Sequence, residues 1–216
     1  MALRAAALIL VIFTSVATAG EEERRTYTVT VGKKVCGTHH MAIQSRDDGS
    51  VSVVGQADVL VKVGFIIYRV NYRGTEEWKD ERLQKVSSNT NDNGKKHAVT
   101  AEASKDGIAG KADGKEFQAK SEAWTTSYWK LPPEKQRGPS LTLLDVGTGK
   151  LINAKLEKVG VEKLNLMGNM AEVVHYRLSG GVQVELWYDG NERLVRQESI
   201  EEGHRTVLEL SKLQRE

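Results

Sequence analysis

Glu172-Val173-Val174-His175-Tyr176-Arg177-Leu178, then Gly180-Gly181, then Gln183-Val184-Glu185-Leu186-Trp187-Tyr188, is the stretch whose reading decides the fold. Apolar and polar residues alternate on both sides of a glycine pair, which is the pattern of two half-buried strands joined by a turn. An amphipathic helix would bring its apolar residues back every three to four positions instead. The same period continues outward. Leu194 to Ile200 and Arg205 to Leu210 follow Asp189-Gly190 and flank Glu202-Gly203, while Leu151 to Val159, Glu162 to Leu166 and Ala171 to Leu178 lead in from a Gly147-Thr148-Gly149 turn.

The N-terminal half carries the same pattern. Tyr27-Thr28-Val29-Thr30-Val31 opens a strand, Gly37 is expected to interrupt the next one before Met41 to Gln44, and Asp48-Gly49 reads as a tight turn into Val51 to Val54 and Ala57 to Val63. Phe65 to Arg73 is rich in β-branched and aromatic residues. Further strands over Leu83 to Thr90, His97 to Ala103, Ile108 to Ala112 and Phe117 to Glu122 are punctuated by Lys79-Asp80-Glu81, Asn91-Asp92-Asn93-Gly94, Asp106-Gly107 and Asp113-Gly114. Lys130 to Pro139 holds all three prolines and is expected to be a loop across an end of the sheet, a candidate lid. The one hint of helix is a turn near Ser140 to Leu144. The expected fold is all-β, a large curved antiparallel meander of ten or more strands forming an open or half barrel, preceded by an N-terminal signal helix.

Residues 1–19 read as a signal peptide: Arg4, an apolar run from Ala5 to Val16, and Ala17-Thr18-Ala19 before Gly20. The run is too short for the roughly 20 residues that span hydrocarbon. Periplasmic or secreted localisation is expected, with residues 20–216 as a single β domain and no transmembrane anchor after cleavage. With 31 Lys+Arg against 29 Asp+Glu, the chain lacks the concentrated basic surface that nucleic acid requires. Glu21 to Arg25 reads as a solvated tail in which opposite charges cancel. Cys36 is the single cysteine, so no internal disulfide forms and stability must come from the core.

Several motifs in order resemble a family of exported bacterial proteins classed only as a domain of unknown function. They are Gly37-Thr38-His39, Glu77-Trp78, Arg82-Leu83, Ser88-Asn89-Thr90-Asn91-Asp92-Asn93-Gly94, Thr126-Ser127-Tyr128-Trp129, Leu143-Leu144-Asp145, Thr148-Gly149-Lys150-Leu151 and Leu186-Trp187-Tyr188. The resemblance spans nearly the whole of residues 20–216. Members often place cysteines before the Leu83-like position and near the Tyr-Trp motif, where this chain has Arg82 and Ala123. The final motif, from Leu186-Trp187-Tyr188 through Asp189-Gly190 and Arg193-Leu194-Val195, is more distantly similar to the open half-barrels of periplasmic lipoprotein carriers. That likeness implies an apolar ligand on a concave face, and fold alone does not fix function.

For catalysis the sequence offers little. His39 and His40 are adjacent, so a strand sends them to opposite faces, a poor geometry for one metal. No H-E-x-x-H, C-x-x-C, G-x-S-x-G or phosphate-binding glycine loop is present, so no cofactor or metal is expected. The candidate ligand-binding residues are Trp78, Trp124, Tyr128, Trp129, Tyr176, Trp187 and His39, aromatic walls with polar handles that equally fit an ordinary β-core. Trp124, Tyr128 and Trp129 are the expected pocket mouth. The leading expectation is a non-enzymatic binding protein for a lipid or other apolar small molecule. The alternatives are an envelope protein-interaction or structural module, and hydrolytic or metal-assisted chemistry around His39 and Cys36.

Overall fold

The period-two pattern builds one sheet. The computed structural model describes residues 20–63, 66–201 and 203–215, so the signal segment expected over residues 1–19 lies outside the described residues. Eight strands form the N-terminal arm: β1 (Glu22–Val31), β2 (Lys34–Ser45), β3 (Ser50–Val63), β4 (Ile66–Lys79), β5 (Arg82–Asp92), β6 (Lys95–Ser104), β7 (Gly107–Ala112) and β8 (Lys115–Ala119). Seven form the C-terminal arm: β9 (Trp124–Thr125), β10 (Gly138–Leu144), β11 (Leu151–Leu166), β12 (Asn169–Gly180), β13 (Val184–Tyr188), β14 (Leu194–Glu201) and β15 (His204–Arg215).

Each arm is a meander, and the two join where β1 pairs with β15, so β8 and β9 are the two ends of a fifteen-stranded sheet among the described residues. Every pairing is antiparallel except the short parallel contact of β9 with β10. A twisted sheet this wide curls, and its two arms come together at the β10–β11 turn. Gly149 there has φ of +74°, and a Cβ added to it would lie 2.3 Å from the Ala112 Cβ on β7, so only glycine permits that approach.

The concave face is filled from the middle of the chain. After β8 the polypeptide crosses inside the curve, where Ala123, Trp124, Thr125, Tyr128, Trp129 and Leu131 are all buried. Trp78 of β4 packs on Trp124 at 4.5 Å and on Trp129 at 5.9 Å between ring centroids. Backbone oxygens of this crossing segment are claimed by the wall: Arg25 donates from Nη1 to the Trp129 carbonyl, and the Tyr188 hydroxyl donates to the Tyr128 carbonyl at 3.4 Å.

Three sequence expectations are corrected here. Gly37 does not interrupt a strand; it sits within β2 beside a bulge in which Cys36 is the extra residue opposite Val29 and Thr30 of β1, and any Cβ at Gly37 would meet the Asp58 carbonyl at 2.0 Å. Glu21 to Arg25 is not a solvated tail, because β1 begins at Glu22 and Arg25 is buried. Its charge is carried inward by partners: Glu23 accepts from Arg25 at 2.6 Å and from Arg193 at 3.0 Å. Ser140 to Leu144 is strand, within β10, and the single short helical turn among the described residues is a 3-10 turn at Glu134–Gln136. The proline loop, expected as a candidate lid, is fastened at one end of the sheet: Arg137 reaches the inward-facing Tyr176 and Glu192, and Lys130 pairs with Arg193 at the β13–β14 turn.

Candidate functional site

One cross-strand row defines the site. Registers place Tyr27 opposite His39, His39 opposite Ala57, Ala57 opposite Tyr72 and Tyr72 opposite Thr90, so these five residues share one face across β1 to β5. The next inward row runs from Met41 through Gly55 and Gly74 to Ser88. Large side chains at both margins and Gly, Ala and Ser between them leave a hollow. It measures about 250 Å³.

The walls are apolar: Met41, Val53, Ala57 and Val70 from the sheet, Leu194 and Leu208 from the joined C-terminal arm. Thr126 and Ser127 of the crossing segment, with Val146 and Gly147 of the β10–β11 turn, form the cover. Tyr27, Met41, Val53 and Glu76 are buried, whereas His39, Ala57, Val70, Tyr72 and Thr90 are half-buried. That gradient puts the mouth along the half-buried row and the closed side at Met41, Val53 and Glu76. Tyr72 leans across the floor, its ring edge-on to His39 at 6.3 Å between centroids. A Cβ at Gly74 would come 2.3 Å from the Tyr72 hydroxyl, so Gly74 is what lets that ring lie down.

The polar groups are few. Burial, with a smaller contribution from the charge of His40, pushes the His39 pKa down to about 4, so the imidazole is neutral at pH 7. Its Nε2 is buried and has no hydrogen-bond partner. Thr90 Oγ1, at the other end of the row, is also buried and unpartnered. Burial pushes the Glu76 carboxyl above the usual range, opposed by hydrogen bonds from Thr125, Ser127 and Trp78. Thr125 donates to Glu76 Oε2 at 2.8 Å and Trp78 Nε1 donates to the same oxygen at 3.1 Å. Loss of solvent around its hydroxyl, with the nearby charges of Glu76 and Asp145, raises the phenol pKa of the half-buried Tyr72.

Of the seven residues singled out in the sequence, the structure places His39 at this cavity and the other six elsewhere. Trp78, Trp124 and Trp129 pack on one another beside it, Trp124 and Trp129 nearly parallel at 6.4 Å. Tyr128 lies in the crossing segment with φ of +48°. Tyr176 faces inward against Tyr188 at 6.1 Å, its hydroxyl accepting from Arg137 at 3.4 Å. Trp187 lies on the opposite face of the sheet, stacked on His175 at 4.3 Å under Arg196. There His175 bonds Glu162 at 2.8 Å and Glu185 at 2.6 Å, and Trp187 Nε1 donates to Glu162 at 3.0 Å.

Cys36 is half-buried and spends its thiol on the Lys34 carbonyl at 3.3 Å, while His40 bonds Thr26 and Thr38 on the outer face. Cys36 and His39 therefore share no site. Among the described residues no group of three or more His, Cys, Asp and Glu is placed to hold a metal ion. Asn91 closes the β5–β6 hairpin by accepting from the Gly94 amide at 2.8 Å, the role of a turn residue. The residues that sequence reasoning missed are Gly55, Ala57, Gly74 and Glu76. Their signal was available: glycine inside a strand pattern marks a close approach or a missing wall.

Comparison with known proteins adds family and fold. The profile of a family described as a domain of unknown function (DUF6134) matches residues 27–211. No curated protein matches the chain. The crystal structure of a beta-barrel-like protein of domain of unknown function DUF1849 from Brucella abortus is similar, with a TM-score of 0.65 at 10% identity. The match covers 93% of this chain and 100% of that one. At that identity the likeness concerns the fold alone: all-β and barrel-like.

Proposed function

The chain belongs to the DUF6134 family, and from that premise we propose that it is an exported, non-enzymatic binding protein for an apolar small molecule or a short acyl segment of a lipid, seated in the cavity under Thr126, Ser127, Val146 and Gly147. One observation carries the reading. The inner face is packed with Leu, Tyr and Trp over most of its extent, yet beside Gly55 and Ala57 it is left hollow with apolar walls. Unfilled apolar volume costs stability, so a hollow kept open in a well-packed core supports a ligand. A cavity of 150 Å³ admits benzene, so about 250 Å³ suits roughly ten non-hydrogen atoms. That is a compact molecule or part of one chain, smaller than a diacyl lipid.

Export is part of the proposal, supported by the pattern of residues 1–19. N-terminal sequencing of the mature protein is expected to begin at Gly20, and a retained Met1 would remove this part. For binding, protein purified from its native envelope is examined by native mass spectrometry before and after organic extraction. The reading expects a co-purifying apolar species that is absent from an Ala57→Leu variant folded to the same secondary structure. A species retained equally by the variant would place the ligand outside the cavity.

A further inference from the structure

We propose that the ligand is electrically neutral and carries a hydroxyl group held at His39 Nε2, so that the cavity selects an apolar alcohol over the corresponding carboxylate. This rests on the reading of the cavity as a ligand site.

The geometry supplies three reasons. First, of the buried side-chain polar atoms without partners among the described residues, His39 Nε2 and Thr90 Oγ1 both line this cavity. An unsatisfied buried polar atom costs about 1–3 kcal/mol, and a ligand group that meets it recovers part of that cost. A hydroxyl both donates and accepts, so it satisfies Nε2 in either neutral tautomer.

Second, no Lys or Arg lines the cavity. A carboxylate entering it would leave water without finding a cation, a heavily unfavourable transfer. The one acidic lining residue, Glu76, repels an anion if ionised and offers no positive charge if protonated. Nor does Glu76 await a cation, since Trp78, Thr125 and Ser127 already donate to it.

Third, the two orphaned atoms are separated. His39 and Thr90 lie three strands apart in one row, about 14 Å at the usual spacing. One hydroxyl therefore reaches one of them. His39 stands next to the buried Tyr27, and Thr90 at the far end of the row. An apolar chain with its hydroxyl at His39 runs past Ala57 and Tyr72 towards Thr90.

The test uses three probes of nearly equal size, 1-octanol, octanoate at pH 8 and octane, titrated into the mature protein and followed by backbone amide chemical shifts in β2 to β4. Octanol is expected to bind about tenfold tighter than octane and more than tenfold tighter than octanoate. His39→Leu is expected to bring octanol down to the affinity of octane, His39→Gln to restore part of the difference, and Thr90→Val to leave it in place. Octanoate binding as tightly as octanol, or an octanol preference that survives His39→Leu or is lost in Thr90→Val, overturns this assignment while the cavity remains a binding site. If none of the three probes binds, the cavity reading itself falls, and this inference with it.

Discussion

The two arms of the sheet present inner faces of opposite character. In the C-terminal arm Leu143, Leu156, Leu178, Leu186 and Tyr188 are all buried, and the face is solid. In the N-terminal arm Gly55 and Ala57 sit between Tyr27, His39 and Tyr72, and the face there is hollow. Both arms are meanders of one continuous sheet, so architecture alone does not explain the difference. Side-chain size at a handful of inward positions does. One arm is built for stability, and the other gives some of it up around a cavity with unsatisfied polar atoms.

The largest test of this contrast removes volume from the solid arm. Leu186→Ala, at a site only 1% exposed, is expected to cost about 2–5 kcal/mol in denaturant unfolding. Ala57→Leu, an addition in the hollow arm, is expected to be neutral or stabilising while abolishing ligand uptake. Equal destabilisation by both substitutions would erase the distinction between the arms.

A second test uses pH. His39 has its pKa lowered from an ordinary 6.5 to about 4, so the unfolded chain binds the proton more readily than the folded one. The stability linked to this group is complete above pH 6.5 and is lost as pH falls towards 4, up to about 3 kcal/mol. Glu76, with its pKa raised, works in the other direction: its contribution declines as pH rises above 4.5. The measurement is therefore the difference in unfolding free energy between wild type and His39→Leu across pH 4 to 7. That difference is expected to shift in favour of the variant on acidification. A difference that does not vary with pH would mean that His39 titrates normally.

A smaller effect is expected from Gly74→Ala. Its Cβ would collide with the Tyr72 hydroxyl, so the ring must rise into the cavity at a cost of about 1–3 kcal/mol. Ligand affinity should fall with it. Unchanged affinity would show that the position of Tyr72 does not shape the site.

Much of the fold was legible in the sequence and much of the site was not, for separate physical reasons. Alternation and turn residues report on local backbone geometry, so strands, hairpins and the all-β class followed from Asp48-Gly49, Asn93-Gly94 and Asp113-Gly114. What the crossing segment does is set by distant partners. Trp124 and Trp129 look like a pocket mouth until Trp78, nearly fifty residues earlier, is seen packed against them. Arg25 reads as solvated until the Trp129 carbonyl and Glu23 take up its guanidinium. Trp187 belongs to the outer face because strand parity sends it away from Leu186, and its bond to Glu162 spans two strands. His39 was visible as a candidate, but the emptiness beside it was written in Gly55-x-Ala57, residues whose meaning is the absence of a large side chain.

The most direct measurement is a crystal of the mature protein soaked in 1-octanol and examined by difference density. The account predicts an elongated feature between His39, Ala57, Tyr72 and Val146, with its polar end within hydrogen-bond reach of His39 Nε2. Density confined to the outer face, or a cavity closed by the collapse of Tyr72 onto Val53, would contradict it.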